Sequence, residues 1–266
     1  MTTRANPIDI PVGGKHIAGT LVGPDTMVPG VLLVHGWDGS QEEYTTRAHE
    51  IASLGCICLT FDLRGHARHQ ADRDTVTRDD NLHDVLAAYD VLVGHPAVDP
   101  RAVAIVGSSY GGYLAALVSA MRPVRWLSLR VPALYEDEDW DVPKNKLDRE
   151  RLMAFRHRRV DGKENRALAG CAQFRGDVLG VESVHDDVVP HPVIQNYMAA
   201  FSQAQSVTYR VVSGADHGLS DKASQQTYTS MLVNWMNEML LNARAGKTGA
   251  AAETPLARST QATPTD

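Results

Sequence analysis

The pentapeptide Gly107-Ser108-Ser109-Tyr110-Gly111 constrains this chain more than any other stretch. The residues before it, 103–106, are Val-Ala-Ile-Val, apolar and mostly β-branched, as a strand buried on both faces requires. The residues after it, 112–120, read as a helix. A G-x-S-x-G pattern between a strand and a helix is a turn sharp enough to lift one serine hydroxyl above the edge of a sheet. Glycine is needed at both ends because the turn leaves no room for side chains there. Only Ser109 has glycine two residues before it and two after it. Ser108 has neither, so Ser109 is the candidate nucleophile. The bare pattern is equally compatible with an ordinary turn, and its meaning depends on what surrounds it.

The surrounding chain alternates strands with helices. Residues 8–12 and 16–22 read as two strands joined by Gly13-Gly14, a hairpin signal. Gly23-Pro24 and Pro29-Gly30 read as turns. Residues 31–34 (Val-Leu-Leu-Val) form a buried strand ending at His35-Gly36-Trp37. Ser40 and Glu43 have capping-box spacing for a helix to about Leu54, stopped by Gly55. A strand over 56–61 runs into Asp62-Leu63-Arg64-Gly65-His66, and 67–78 is polar and irregular. Leu82, Val85, Leu86, Tyr89 and Val93 fall at helical spacing in a segment from about 79 to 93. After the central turn come a strand candidate at 124–131, a rhythm-breaking insertion at 133–175, and a strand at 177–183. A helix opens at Pro190 or Pro192 and runs to about Ala204, followed by a strand at 207–212 and a helix from about Lys222 to Leu241. Residues 243–266 are Ala/Thr/Gly/Pro-rich and read as a disordered tail. The expected architecture is α/β: a mostly parallel, eight-stranded, doubly wound sheet in one domain, 1–242, with a small helical cap at about 133–175.

Sites in such sheets form beyond the carboxyl ends of the strands. His35, Asp62, Ser109, Asp186 and His217 all follow expected strand ends. A serine hydroxyl is a weak nucleophile without a base, and the base needs an acceptor on its second ring nitrogen. After Ser109 the chain offers acids at Asp186 and Asp187, then His217. Composition narrows the partners. A formal charge of −6 over 266 residues gives no reason to expect nucleic acid or an anionic membrane. Met1 to Asp9 lacks the apolar core of a signal peptide, and no apolar run reaches membrane-spanning length. Cys56 and Cys58 share one strand face, poor geometry for a mutual disulfide, and Cys171 stands alone; these are expected to be thiols in a reducing, cytoplasmic setting.

These residues carry a resemblance. Val-His-Gly-Trp at 34–37, Phe-Asp-Leu-Arg-Gly-His at 61–66, Gly-Ser-Ser-Tyr-Gly-Gly at 107–112, Asp-Asp-Val-Val-Pro at 186–190 and Asp-His-Gly at 216–218 occur in this order. The chain resembles the α/β-hydrolase superfamily of serine hydrolases, in an esterase-like form, over nearly all of 8–241. The resemblance implies Ser109 as nucleophile, His217 as general base and Asp186 as the acid, with Asp187 its rival. It implies an oxyanion hole from the backbone N–H groups of Trp37 and Tyr110, the latter at a helix N-terminus. It implies hydrolysis of a small-molecule carboxylic ester through an acyl-enzyme, with no metal or organic cofactor. Peptidase, thioesterase or lactonase activity, or non-catalytic ligand binding on the same scaffold, are the alternatives. Dienelactone-hydrolase-like activity fits less well, because that group uses cysteine where this chain has Ser109. Ala67 departs from the glycine many relatives have after Arg-Gly-His.

Other residues have plainer readings. His35, His66 and Asp62 are expected to hold rim loops. His16, His49, His69, His83, His95, His157 and His191 read as surface residues. The acidic run 136–141 reads as a solvated face, or as a screen against anionic substrates. Trp140, Met153 and Phe155, with Phe174, either line a substrate pocket or form a small cap core.

Overall fold

The computed structural model describes residues 4–23 and 28–251. The expected turn at Pro24 and the end of the expected tail, 252–266, lie outside them. Gly13 and Gly14, both at positive φ, turn the chain between β1 (Arg4–Val12) and β2 (Lys15–Gly23), which pair antiparallel. The next strands are β3 (Val28–Val34), β4 (Ile57–Phe61), β5 (Val98–Ser108), β6 (Trp126–Arg130), β7 (Asp177–His185) and β8 (Ser206–Asp216). They form one eight-stranded sheet in the order β1-β2-β4-β3-β5-β6-β7-β8. The β2–β4 pairing is antiparallel and every pairing from β4 to β8 is parallel.

The period-two alternation of the central strands creates two cores. Leu32, Val34, Val103 and Ile105 face one side, under α2 (Arg78–Gly94), α3 (Tyr110–Ser119), α5 (Arg166–Gln173) and α6 (His191–Ala200). Val31, Leu33, Ala104 and Val106 face the other, under α1 (Glu42–Ser53) and α7 (Lys222–Ala251). Cys56 and Cys58 are buried in the second core and Cys171 in the first, none of them in a disulfide. No described helix is long and apolar enough to cross a membrane.

Several local expectations need correction. Ser40 and Glu43 form no capping box. Gln41 occupies the N-cap position of α1 without a side-chain cap, because its amide instead joins Asp62, Thr20 and Ala18 across the rim. A capping box does form at Thr77–Asp80, at the start of α2. Pro29-Gly30 is not a turn: it lies inside β3, where the register against β5 shifts. The irregular segment after His66 contains a 3-10 turn, Ala67–Asp72. His69 is more than a surface residue, since its Nε2 accepts the Ala18 N–H at 3.0 Å. The last helix continues past Leu241 to Ala251, into the start of the expected tail.

The insertion between β6 and β7 divides in two. Its second half, α5, is capped by Asn165 and buries Ala167, Leu168 and Cys171 in the main core. Only the first half, with a 3-10 turn Lys144–Lys146 and α4 (Arg149–Arg156), overhangs the rim.

Candidate active site

The turn after β5 holds Ser109 at φ 53° and ψ −119°, outside the regions that side-chain-bearing residues favour. Main-chain bonds hold this strained residue. Its N–H donates to Arg130 O at 2.9 Å, and its carbonyl accepts from Tyr113 and Ala133. The flanking glycines are obligatory on steric grounds. A Cβ at Gly107 would stand 2.4 Å from Gly111 O, and one at Gly111 would stand 2.3 Å from Val34 O.

Three side chains from three strand ends meet here. Ser109 Oγ is 2.8 Å from His217 Nε2, and His217 Nδ1 is 2.7 Å from Asp186 Oδ2. The other carboxylate oxygen of Asp186 accepts the N–H groups of Val188 and Val189 at 2.9 and 2.7 Å. Those two bonds fix the carboxylate plane and leave Oδ2 for the imidazole. Asp187, its rival in sequence, is exposed and makes no comparable bond among the described residues. The spacing of acid and imidazole follows from the sheet. His185 of β7 is paired with Asp216 of β8, beyond an irregularity after Ser183, so Asp186 and His217 leave the ladder side by side. Arg130, at the end of β6, secures the histidine loop by donating from Nη1 to His217 O at 2.9 Å.

The loop after β3 closes the other side. His35 is buried, donates from Nδ1 to Gly36 O at 2.7 Å and accepts the Leu63 N–H on Nε2 at 3.1 Å. Both ring nitrogens are thus occupied by one neutral tautomer, and burial lowers the ring's pKa in the same sense. His66 donates from Nδ1 to Arg64 O at 3.0 Å and stands edge-on to Trp37 and His35. Burial first, then the neighbouring His35, lowers its pKa to about 4. Asp62 accepts from Gln41 through both oxygens. All three therefore tie loops together, as expected. The loop passes so close to the serine that a Cβ at Gly36 would lie 3.2 Å from Ser109 Cβ. The backbone N–H groups of Trp37 and Tyr110 have no acceptor among the described residues.

Two clefts open on Ser109 and His217. One, about 440 Å³, runs past Tyr44, Arg47, Arg130 and Gln225. The other, about 490 Å³, lies under the cap against Tyr135, Lys144, Leu147, Leu152, Met153 and Arg156. Met153 thus lines the space over the serine. Trp140 and Phe155 line neither cleft. Phe155 is buried in the main core, and Phe174 packs there against Phe201. Trp140 anchors the cap: its Nε1 donates to Asp79 Oδ1 at 2.7 Å, and the guanidinium groups of Arg78 and Arg166 lie 5.4 and 4.4 Å from its ring centroid. Three carboxylates of the acidic run are ion-paired, Glu136 and Asp139 with Arg151 and Asp137 with Arg166, and none of the run lines either cleft. Arg130 and Lys144 were not singled out as site residues by sequence. Arg130 at the end of an apolar strand was the only trace of the first.

Comparison with known proteins agrees with this architecture. An uncharacterised protein of Mycobacterium tuberculosis (strain ATCC 25618 / H37Rv) is 28% identical over 189 residues, 71% of this chain but only 63% of that protein's length. An esterase of Pyrococcus furiosus superposes with a TM-score of 0.65 at 17% identity, over 88% of this chain and 91% of its own. The acylaminoacyl peptidase of Pyrococcus horikoshii superposes with a TM-score of 0.66 at 15% identity, over 88% of this chain and 41% of its own. At such identities the two structures establish the α/β-hydrolase fold. The model of the prolyl oligopeptidase family matches residues 42–243, a segment that includes the elbow, the acid and the histidine. By this match the chain, with its α/β-hydrolase fold, belongs to the prolyl oligopeptidase family.

Proposed function

We propose that the chain hydrolyses small-molecule carboxylic esters through an acyl-enzyme formed on Ser109. The observation that carries this reading is the continuous path Ser109 Oγ to His217 to Asp186, with both links under 3 Å. His217 Nε2 takes the hydroxyl proton as Ser109 Oγ attacks the ester carbonyl. The carbonyl oxygen becomes an oxyanion that the N–H groups of Trp37 and Tyr110 receive. Collapse of the tetrahedral intermediate breaks the bond to the leaving alcohol, which His217 protonates. Water, deprotonated by His217, then attacks the acyl-enzyme, and the acid leaves as Ser109 regains its proton. Asp186 holds the imidazole in the required tautomer and stabilises its charged form. Met153 contributes to binding the substrate under the cap.

Short p-nitrophenyl esters test this, with wild type and Ser109→Ala. We expect kcat to fall by roughly 10⁴-fold or more in the variant. Equal turnover by the two proteins would remove Ser109 from the chemistry. A fluorophosphonate that fails to label folded protein would favour a binding role instead.

The family assignment favours a second reading, cleavage of a peptide or aminoacyl amide by the same residues. Aminoacyl p-nitroanilides distinguish it: turnover of these above that of matched esters would make the amide the substrate.

A further inference from the structure

The cleft under the cap is basic in a chain that is acidic overall. The chain carries a formal charge of −6, yet Arg73, Lys144, Arg149 and Arg156 line this cleft against one carboxylate, Asp38. Arg73 is committed, paired with Asp38 and lying over the Trp37 ring. The other three cations have no carboxylate partner among the described residues.

Two of the three are held in place without being neutralised. Arg156 is only 5% exposed, and its guanidinium donates to Leu134 O at 3.1 Å and Val188 O at 2.9 Å. Carbonyls satisfy donors but cancel no charge. The Lys144 ammonium is held by ring faces: Nζ lies 4.2 Å from the centroid of Trp37 and 5.4 Å from those of Tyr110 and Tyr135. Arg156 approaches the same Tyr135 ring at 5.1 Å. Arg156 is thus a buried cation without a counterion, which is costly, and an anionic ligand beside the half-buried Lys144 supplies what is missing. Three carboxylates of the acidic run that would repel such a ligand, Glu136, Asp137 and Asp139, are paired with Arg151 and Arg166, and none of the run lines this cleft. Trp37 joins the two features: its ring lies beneath Lys144, and it lines the same cleft as Ser109.

We propose that the substrate carries a free carboxylate besides its reacting group, and that this carboxylate docks on Lys144 in the field of Arg149 and Arg156. Half-esters of dicarboxylic acids are the class this selects over neutral esters. The choice of ester rests on the hydrolase reading of Ser109; the carboxylate site does not.

The test has two arms. In the first, the p-nitrophenyl monoester of glutaric acid is compared with p-nitrophenyl valerate, a neutral ester of matched length. Wild type should favour the anionic ester by roughly tenfold or more in kcat/KM, the scale of one charge-assisted contact. Lys144→Met should bring the ratio to about one, and Lys144→Arg should restore most of it. A wild-type ratio of one or below, or a ratio unchanged in Lys144→Met/Arg149→Gln, overturns the proposal. In the second arm, glutarate and neutral glutaramide are titrated calorimetrically into Ser109→Ala protein. Glutarate alone should bind, roughly tenfold or more weaker once Lys144→Met is added, with circular dichroism verifying the fold. Esters untouched but glutarate bound through Lys144 would end the hydrolase reading and keep the carboxylate site. Esters cleaved without charge preference, and glutarate unbound, would do the reverse.

Discussion

The Arg130 side chain donates to the backbone carbonyl of His217, 87 residues away in sequence, while the Arg130 carbonyl accepts the Ser109 N–H. One residue at the tip of β6 thus braces both the turn carrying the serine and the loop carrying the imidazole. It is 6% exposed and also reaches Ser108 Oγ at 3.3 Å. A hydrogen bond involving a charged group contributes about 1.5–3 kcal/mol. Arg130→Met should therefore lower kcat by roughly 10- to 100-fold with a smaller change in KM, and Arg130→Lys should recover part of the loss. Steady-state kinetics on p-nitrophenyl butyrate reads both. A change confined to KM would remove the bracing role.

The two neighbouring carboxylates should separate cleanly. Asp186 bonds His217 and two backbone N–H groups, whereas Asp187 faces solvent. Asp186→Asn should cost roughly 10⁴-fold in kcat by favouring the wrong tautomer. Asp187→Asn should stay within a few-fold of wild type. The reverse ranking would reassign the acid.

Gly111 admits no side chain. A Cβ there would meet Val34 O at 2.3 Å and His35 O at 2.4 Å, both rigid backbone atoms of the sheet rim. Gly111→Ala should lose about 3 kcal/mol or more of stability together with activity. Urea titration measures the first, and an unchanged midpoint would mean that the elbow is looser than described.

His66 should make the fold sensitive to acid. Its folded pKa, about 4, lies below its ordinary value of 6.5 because the ring is buried beside His35. The unfolded chain therefore binds the proton first. The stabilisation is complete above pH 6.5 and is lost as the pH falls toward 4, by about 3 kcal/mol for a shift of this size. His35, lowered by burial as well, acts in the same direction. His66→Gln should flatten the fall in denaturation free energy between pH 6.5 and 4. An identical pH profile in the variant would place the sensitivity elsewhere.

The rim was legible because its rules are local. An apolar run ending in a polar residue marks a strand end; glycines two residues to either side mark Ser109, and Asp186 and His217 lie in short motifs whose order carries the resemblance. The cap was not legible for the opposite reason. Trp140 and Phe155 are aromatic residues in a polar stretch, but their surroundings depend on Arg78, Arg166 and the main core, which no local pattern in that stretch announces. Lys144 over Trp37 links segments more than a hundred residues apart, with no periodicity to announce it. Gln41 shows the same limit in miniature. Ser40 and Glu43 had the right spacing for a cap, and a tertiary tie to Asp62 prevailed.

The cross-strand partnership of His185 with Asp216 has an evolutionary corollary. Since backbone pairing sets the gap between carboxylate and imidazole, the stretch 138–154, which bonds neither Ser109 nor the Asp186 loop, is free to diversify without retuning proton transfer. Chimaeras that exchange residues 138–154 among related chains should inherit the donor's selectivity and keep the recipient's chemical competence.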